Sequence, residues 1–104
     1  MDAEAYNHDT IFRLTTLFGA MADNTRARML LLLLDGEKRS GELAATLTMT
    51  PSAVSHQLRW LRDRAIVSAR KNGREVYYEL ADACIREIIE VALIHIHEGV
   101  SESA

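Results

Sequence analysis

A mainly α-helical chain with one small β-hairpin, ordered ααααββα, is predicted by three features of the sequence. Apolar residues recur at helical spacing in four early segments, an Asn-Gly pair separates two strand-forming runs, and the last segment is apolar well beyond one stripe. The 104 residues suffice for one domain, taken as 1–104, with only a modest core. A second copy is therefore expected to cover much of the apolar surface, giving a dimer.

The first helix is expected over about residues 9–22, where Ile11, Leu14, Leu17, Phe18 and Met21 share one face and Asp9 or Thr10 caps the start. Asp23-Asn24-Thr25 is a second cap signal, opening a helix from about Thr25 to Leu34. Its run Leu30–Leu34 is too continuous for a surface helix, so this is read as the central, most buried one, ended by Asp35-Gly36. Ser40 is expected to cap a short helix with Leu43, Ala44 and Leu47. After a turn at Thr48-Met49, Thr50-Pro51 starts a helix through about Arg64, with Val54, Leu58 and Leu61 inward. Two helices joined by so short a turn make a helix-turn-helix. Residues 67–71 and 75–80 then change to strand formers around Asn72-Gly73, a hairpin signal. A hairpin directly after a helix-turn-helix is a wing, so the predicted fold is a winged helix-turn-helix. The last helix, about 82–98, carries Ile85, Ile88, Ile89, Val91, Leu93, Ile94 and Ile96. That is more apolar surface than one small core needs, so this helix is expected to pack against another chain.

Charge narrows the partners. The formal net charge is −3, yet residues 51–74 hold Arg59, Arg62, Arg64, Arg70, Lys71 and Arg74 against Asp63 alone, a local +5 that leaves −8 on the remainder. A segregated pattern of this kind is that of a phosphate-facing patch on an acidic body, and points to double-stranded DNA. Ser52, Ser55, His56, Gln57 and Arg59 lie away from the inward face of their helix. There Gln57 can pair bidentately with adenine and Arg59 can meet guanine or phosphate. Arg70, Lys71 and Arg74 line the hairpin for phosphate or minor-groove contact. The longest apolar run, Met29–Leu34, is far short of the roughly 20 residues that span a bilayer. The acidic N-terminus lacks a signal-peptide pattern, and one cysteine allows no intrachain disulfide, so a cytoplasmic protein without membrane contact is expected. No nucleophile–base constellation calls for an enzyme, and Ser55 beside His56 is not a triad.

The chain resembles the ArsR/SmtB family of bacterial metal-sensing repressors over roughly residues 10–98. The matching stretches are Leu17–Arg26, Gly41–Ala44, Ser52–Leu61 and Lys71–Tyr78. The resemblance implies a winged-helix homodimer, with the first and last helices at the interface. It also implies repression by operator binding and release when an effector binds. One subgroup carries a cysteine pair on the helix before the recognition helix. Here Ser40–Ala44 has none, which excludes an arsenite-type thiolate site there. Another subgroup uses the last helix, and that pattern is met at Asp82, His95 and Glu98, with Cys84 where histidine is usual in zinc sensors.

Cys84 and His95 are eleven residues apart, on nearly the same helix face but separated by about 16 Å along it. One helix cannot bring both to one ion. Two antiparallel copies can, Asp82 and Cys84 of one meeting His95 and Glu98 of the other in two symmetric sites. Two oxygens, one sulfur and one nitrogen make a tetrahedral set suited to zinc; the thiolate favours zinc or cadmium over hard ions, and cobalt is expected to bind as well. Nickel ranks after these and would draw on His97 and His8, although His97 points about 200° away from His95. Two alternatives stay within DNA binding: Cys84 as a thiol sensor, and a module that binds DNA without an effector.

Overall fold

The computed structural model describes residues 6–103, so the ends of the expected 1–104 unit lie outside it. The elements run α1 (His8–Met21), α2 (Asn24–Leu34), β1 (Lys38–Arg39), α3 (Ser40–Leu47), α4 (Pro51–Asp63), β2 (Val67–Asn72), β3 (Glu75–Leu80) and α5 (Ala83–Ser103). This is the expected order with one addition. The two-residue β1 pairs antiparallel with β3, giving a three-stranded sheet in the order β1-β3-β2. So short a strand carries no periodicity to read; its register, Lys38 opposite Tyr78 and Arg39 opposite Tyr77, exists only once the hairpin is folded.

Helix starts follow side-chain acceptors. Asn7, rather than Asp9 or Thr10, caps α1 by accepting from the Thr10 N–H at 2.8 Å. Asp23 caps α2 through the Arg26 N–H at 3.0 Å, and Thr50 caps α4 through the Ala53 N–H with Pro51 in the first turn. Ser40 is not a cap but the first residue of α3. The cap position belongs to Arg39, whose N–H donates to the Glu42 carboxylate at 3.0 Å. The Glu42 carboxylate, reaching back three residues, satisfies the Arg39 N–H, whereas a Ser40 cap would have accepted from an N–H further into the helix.

One hydrophobic cluster joins α2, α3, α4, the sheet and the start of α5. Met29, Leu33, Leu43, Val54, Leu58 and Leu61 are completely buried in it. The leucine run of α2 is not uniformly buried. Leu30 and Leu33 point inward, Leu32 and Leu34 are half-buried, and Leu31 is 42% exposed beside α1 and α5. A helix only eleven residues long presents every direction within two turns, so five consecutive leucines cannot share one core. The Arg86 guanidinium, from α5, donates to the Leu34 carbonyl at 2.9 Å and thereby caps the C-terminal end of α2.

The hairpin turns at Gly73-Arg74, with Asn72 paired to Glu75, one residue later than the Asn-Gly signal places it. Gly73 takes φ +65° while Arg74 does not enter the positive region, the pattern of a turn with glycine first. The α3–α4 turn stores strain: Thr48, β-branched, sits at φ 55°, ψ 49°, where its N–H closes the helix on the Ala44 and Ala45 carbonyls. The radius of gyration, 15.6 Å, exceeds the roughly 13 Å of a compact chain of this size, consistent with extents of 46 × 40 × 21 Å. No described helix is long and apolar enough to cross a membrane.

Two substitutions test this account by urea unfolding. Leu58→Ala should cost about 2–5 kcal/mol through lost burial and the cavity it leaves. Thr48→Gly should raise stability by about 0.5–1 kcal/mol, because left-handed strain is relieved against a modest entropic cost in the unfolded chain.

Candidate nucleic-acid interface and candidate metal centre

Helix α4 is two-faced. Val54, Leu58 and Leu61 are completely buried, and that burial turns Ser52, Ser55, His56 and Arg59 outward around one shallow hollow of about 420 Å³. Gln57 is not in the hollow; it is half-buried at its margin. Thr50 and Pro51 place the start of α4 at this surface, so the positive end of the helix dipole is exposed there as well.

Lys71 near the end of β2 and Arg74 in the turn are exposed, and among the described residues neither they nor Arg59 make an ion pair. Arg70 differs from its neighbours. Its guanidinium donates to Glu37 at 2.7 Å and lies 5.1 Å from the centre of the Tyr77 ring. One of the positive charges counted toward the basic patch is thus matched within the chain, by a residue 33 positions away that spacing could not link to it.

The wing is fixed to the helix-turn-helix by a second charged group. Arg39 donates to Glu42 at 3.2 Å and to Glu75 at 3.0 Å, and Glu75 also accepts from the Tyr77 hydroxyl at 2.9 Å. The Glu42 carboxyl is held below its ordinary range by the Arg39 N–H and then by the Arg39 guanidinium. The Glu75 carboxyl is held down first by Tyr77 and then by Arg39, while the same bond pushes the Tyr77 phenol up. The Arg39–Glu42 link is legible as a three-residue helix-start spacing. The link to Glu75 is not, because it depends on β1 lying beside β3.

The predicted metal ligands are placed at the two ends of a long helix. Asp82 precedes α5 and spends one carboxylate oxygen on the Ile85 N–H at 2.9 Å, the capping role expected of it. Cys84 is exposed and borders a hollow with Phe18, Glu87, Ile88, Val91 and Ala92. His95 and Glu98 are exposed further along. Among the described residues no three His, Cys, Asp or Glu side chains of one chain converge on a point suited to an ion. The donor chemistry fits zinc, but one chain alone supplies only half of the set at either end. Around Cys84 the surface is apolar, with Phe18 of α1 and Val91 of α5 bordering the same hollow. Ile11, Phe12, Leu14 and Phe18 of α1 and Val91, Ile94 and Ile96 of α5 are each at least half exposed.

The model of the family described as bacterial regulatory protein, arsR family, matches residues 23–69. The chain is 37% identical over 96 residues to the transcriptional repressor SmtB homolog of Synechocystis sp., covering 92% of this chain and 73% of that protein. The chain belongs to the arsR family of bacterial regulatory proteins. It is also 44% identical over 84 residues to the HTH-type transcriptional regulator CmtR of Mycobacterium tuberculosis, covering 77% of this chain and 71% of that protein. Among solved structures it is similar to the AntR antimony-specific transcriptional repressor, at 32% identity and a TM-score of 0.81 over 97% of this chain and 90% of that one. This arsR-family chain is accordingly a winged helix-turn-helix transcriptional regulator and not an enzyme.

The carboxylate network makes wing anchoring acid-sensitive. Because Glu42 and Glu75 are depressed in the folded chain, their contribution is complete above the ordinary carboxyl value of 4.5 and is lost as pH falls through the lower folded values. Urea midpoints should therefore fall between pH 6 and pH 3, and the fall should be smaller in Glu75→Gln.

Proposed function

We propose that this arsR-family chain is a homodimeric repressor that binds operator DNA through α4 and the β2–β3 hairpin. Zinc or a similar divalent ion, bound between two α5 helices, releases it. The observation that carries the DNA half is the outward polar face of α4 together with Lys71 and Arg74 of the hairpin, exposed and without an ion pair among the described residues. Ser52, Ser55, His56, Gln57 and Arg59 would meet base edges and phosphates. Lys71 and Arg74 would meet phosphates, and Arg70 would do so by sharing its guanidinium with Glu37.

The exposed apolar side of α1 and α5 supports the dimer. A surface of this extent on so small a chain is a partner surface. With α5 of two copies antiparallel, Asp82 and Cys84 would complete an ion site with the partner's His95 and the partner's Glu98. Such an ion would supply bonds between the copies, fixing one separation of the two α4 helices. Thiolate in the set favours zinc, cadmium or cobalt, with nickel behind. That AntR is named antimony-specific supports a thiophilic effector in general. Release follows if the metal-fixed separation fits successive major grooves less well than the metal-free one.

A second reading, in which Cys84 senses oxidants, is favoured by its exposure. Cobalt titration separates the two. A thiolate charge-transfer band that disappears in Cys84→Ser supports the metal site, and no band supports the thiol reading. Anisotropy with a duplex selected from a random library should show zinc weakening binding by about 5- to 150-fold, the usual range of allosteric coupling. Equal affinity with zinc and with chelator would point to an effector-independent module. In the same assay Arg74→Ala should weaken binding to every duplex and lower the salt slope by about 1. Gln57→Ala should instead relax sequence preference, leaving the salt slope unchanged.

A further inference from the structure

The first turn of α2 holds a side chain that the DNA and metal readings leave without a role. Arg26 is only 19% exposed, yet it is charged and reaches three elements. Its Nε donates to the Ala20 carbonyl at 2.8 Å and its Nη2 to the Gly19 carbonyl at 3.3 Å, both in the last turn of α1. That end of α1 has no basic residue of its own; the Gly19 carbonyl accepts from the Ala22 N–H, and Arg26 adds a donor to it and to the Ala20 carbonyl, complementing the negative end of the helix dipole. The same guanidinium lies 4.2 Å from the centre of the Trp60 indole, on α4. Arg64, one turn further on, stacks on Trp60 at 3.5 Å and donates to the Trp60 carbonyl at 3.0 Å, a bond confined to α4.

We propose that Arg26 is a positioning residue for α4, joining the end of α1 to the recognition helix through Trp60. The proposal rests on α4 being the DNA-reading helix. The physical case is one of geometry. A planar guanidinium can bond two carbonyls in its own plane while offering a flat face to an aromatic ring. Its in-plane bonds fix it to α1, its face meets Trp60, and its stem belongs to α2. A shift of the end of α1 therefore moves the surface on which Trp60 rests. Trp60 stands between Arg59, at the outward hollow, and Leu61, in the core. A change in its seating turns the outward face of α4 without removing any group that touches DNA. Lysine cannot replace this function, since a single ammonium offers neither the fork nor the flat face.

Because Trp60 is the sole tryptophan, the protein carries its own reporter. The full chain, Arg26→Lys and Arg64→Ala are compared at a temperature where circular dichroism shows all three folded; Arg26→Ala is added if it folds. The probes are the duplex enriched from a random library by the full chain and an unrelated duplex of equal length. In Arg26→Lys the ratio of specific to non-specific affinity should fall about 2- to 30-fold, the range of coupling changes transmitted through packed side chains. The salt slope should stay unchanged, because no phosphate contact is lost. In the absence of DNA, acrylamide quenching of Trp60 should rise in Arg26→Lys. Arg64→Ala removes one charge of the basic stretch but severs nothing between helices, so it should weaken binding to both duplexes alike and leave the affinity ratio within about twofold, a margin below the same coupling range.

An unchanged ratio in Arg26→Lys overturns the proposal, as does a salt slope lowered by about 1, which would make Arg26 a direct phosphate ligand. If no duplex is enriched, the DNA reading fails. The quenching measurement then decides the link by itself: a rise upholds the seating of Trp60 by Arg26, and no rise overturns it.

Discussion

The burial of one stripe of α4 is the constraint on which the rest depends. Val54, Leu58 and Leu61 are removed from water completely, and each such side chain is worth about 1.5–3 kcal/mol. Turning α4 would bring serine, histidine and arginine into the core, since apart from the half-buried Trp60 and Ala53 its remaining faces carry mostly such residues. The polar hollow is thus a by-product of the packing: the energy that seats α4 selects which residues face outward. The hairpin follows from the same seat, since Ile66 and Val67, at the exit from α4, enter the same core and send β2 away from it.

A second consequence is what the core does not consume. α1 packs on α2, and α5 enters the core at Ile85 and Ile89, but the outer faces of both helices stay apolar and exposed. Apolar surface left uncovered on this scale is what the proposed second copy would bury. The proposed DNA-facing and partner-facing sides are then distinct surfaces of one small body, and any coupling between them has to pass through the side chains that join the elements of each. Arginines repeatedly tie one element of this chain to another. Arg26 holds the end of α1, Arg86 the end of α2, and Arg39 holds the wing to the start of α3. In each case a planar donor meets backbone or carboxylate acceptors on another element, work for which its fixed fork is suited.

Helix existence and the division of α4 into two faces were legible in the sequence because they depend on local periodicity and caps. Thr50-Pro51, Asp23 and the Val54–Leu58–Leu61 spacing act within a few residues of themselves. The departures all involve choices between nearby equivalents. Asn7 rather than Asp9 or Thr10 caps α1, Arg39 rather than Ser40 takes the cap position of α3, and the hairpin turns one residue later than Asn-Gly indicates. In the last case the strand register decided: placing Gly73 and Arg74 in the turn lets Asn72 pair with Glu75 and sets Val67 opposite Leu80, both buried.

The order of elements, the segregated basic stretch, the apolar excess of the last helix and the candidate ligands Asp82, Cys84, His95 and Glu98 are properties of the sequence itself, since each is a matter of residue type at short spacing. Tertiary structure alone decided which charges are already matched, as when Arg70 meets Glu37 and Arg39 meets Glu75. It also brought β1 to β3 and set Arg26 against Trp60. These contacts span tens of residues, and their energy exists only after the chain has folded and fixed both partners in space, so no local pattern foretells them.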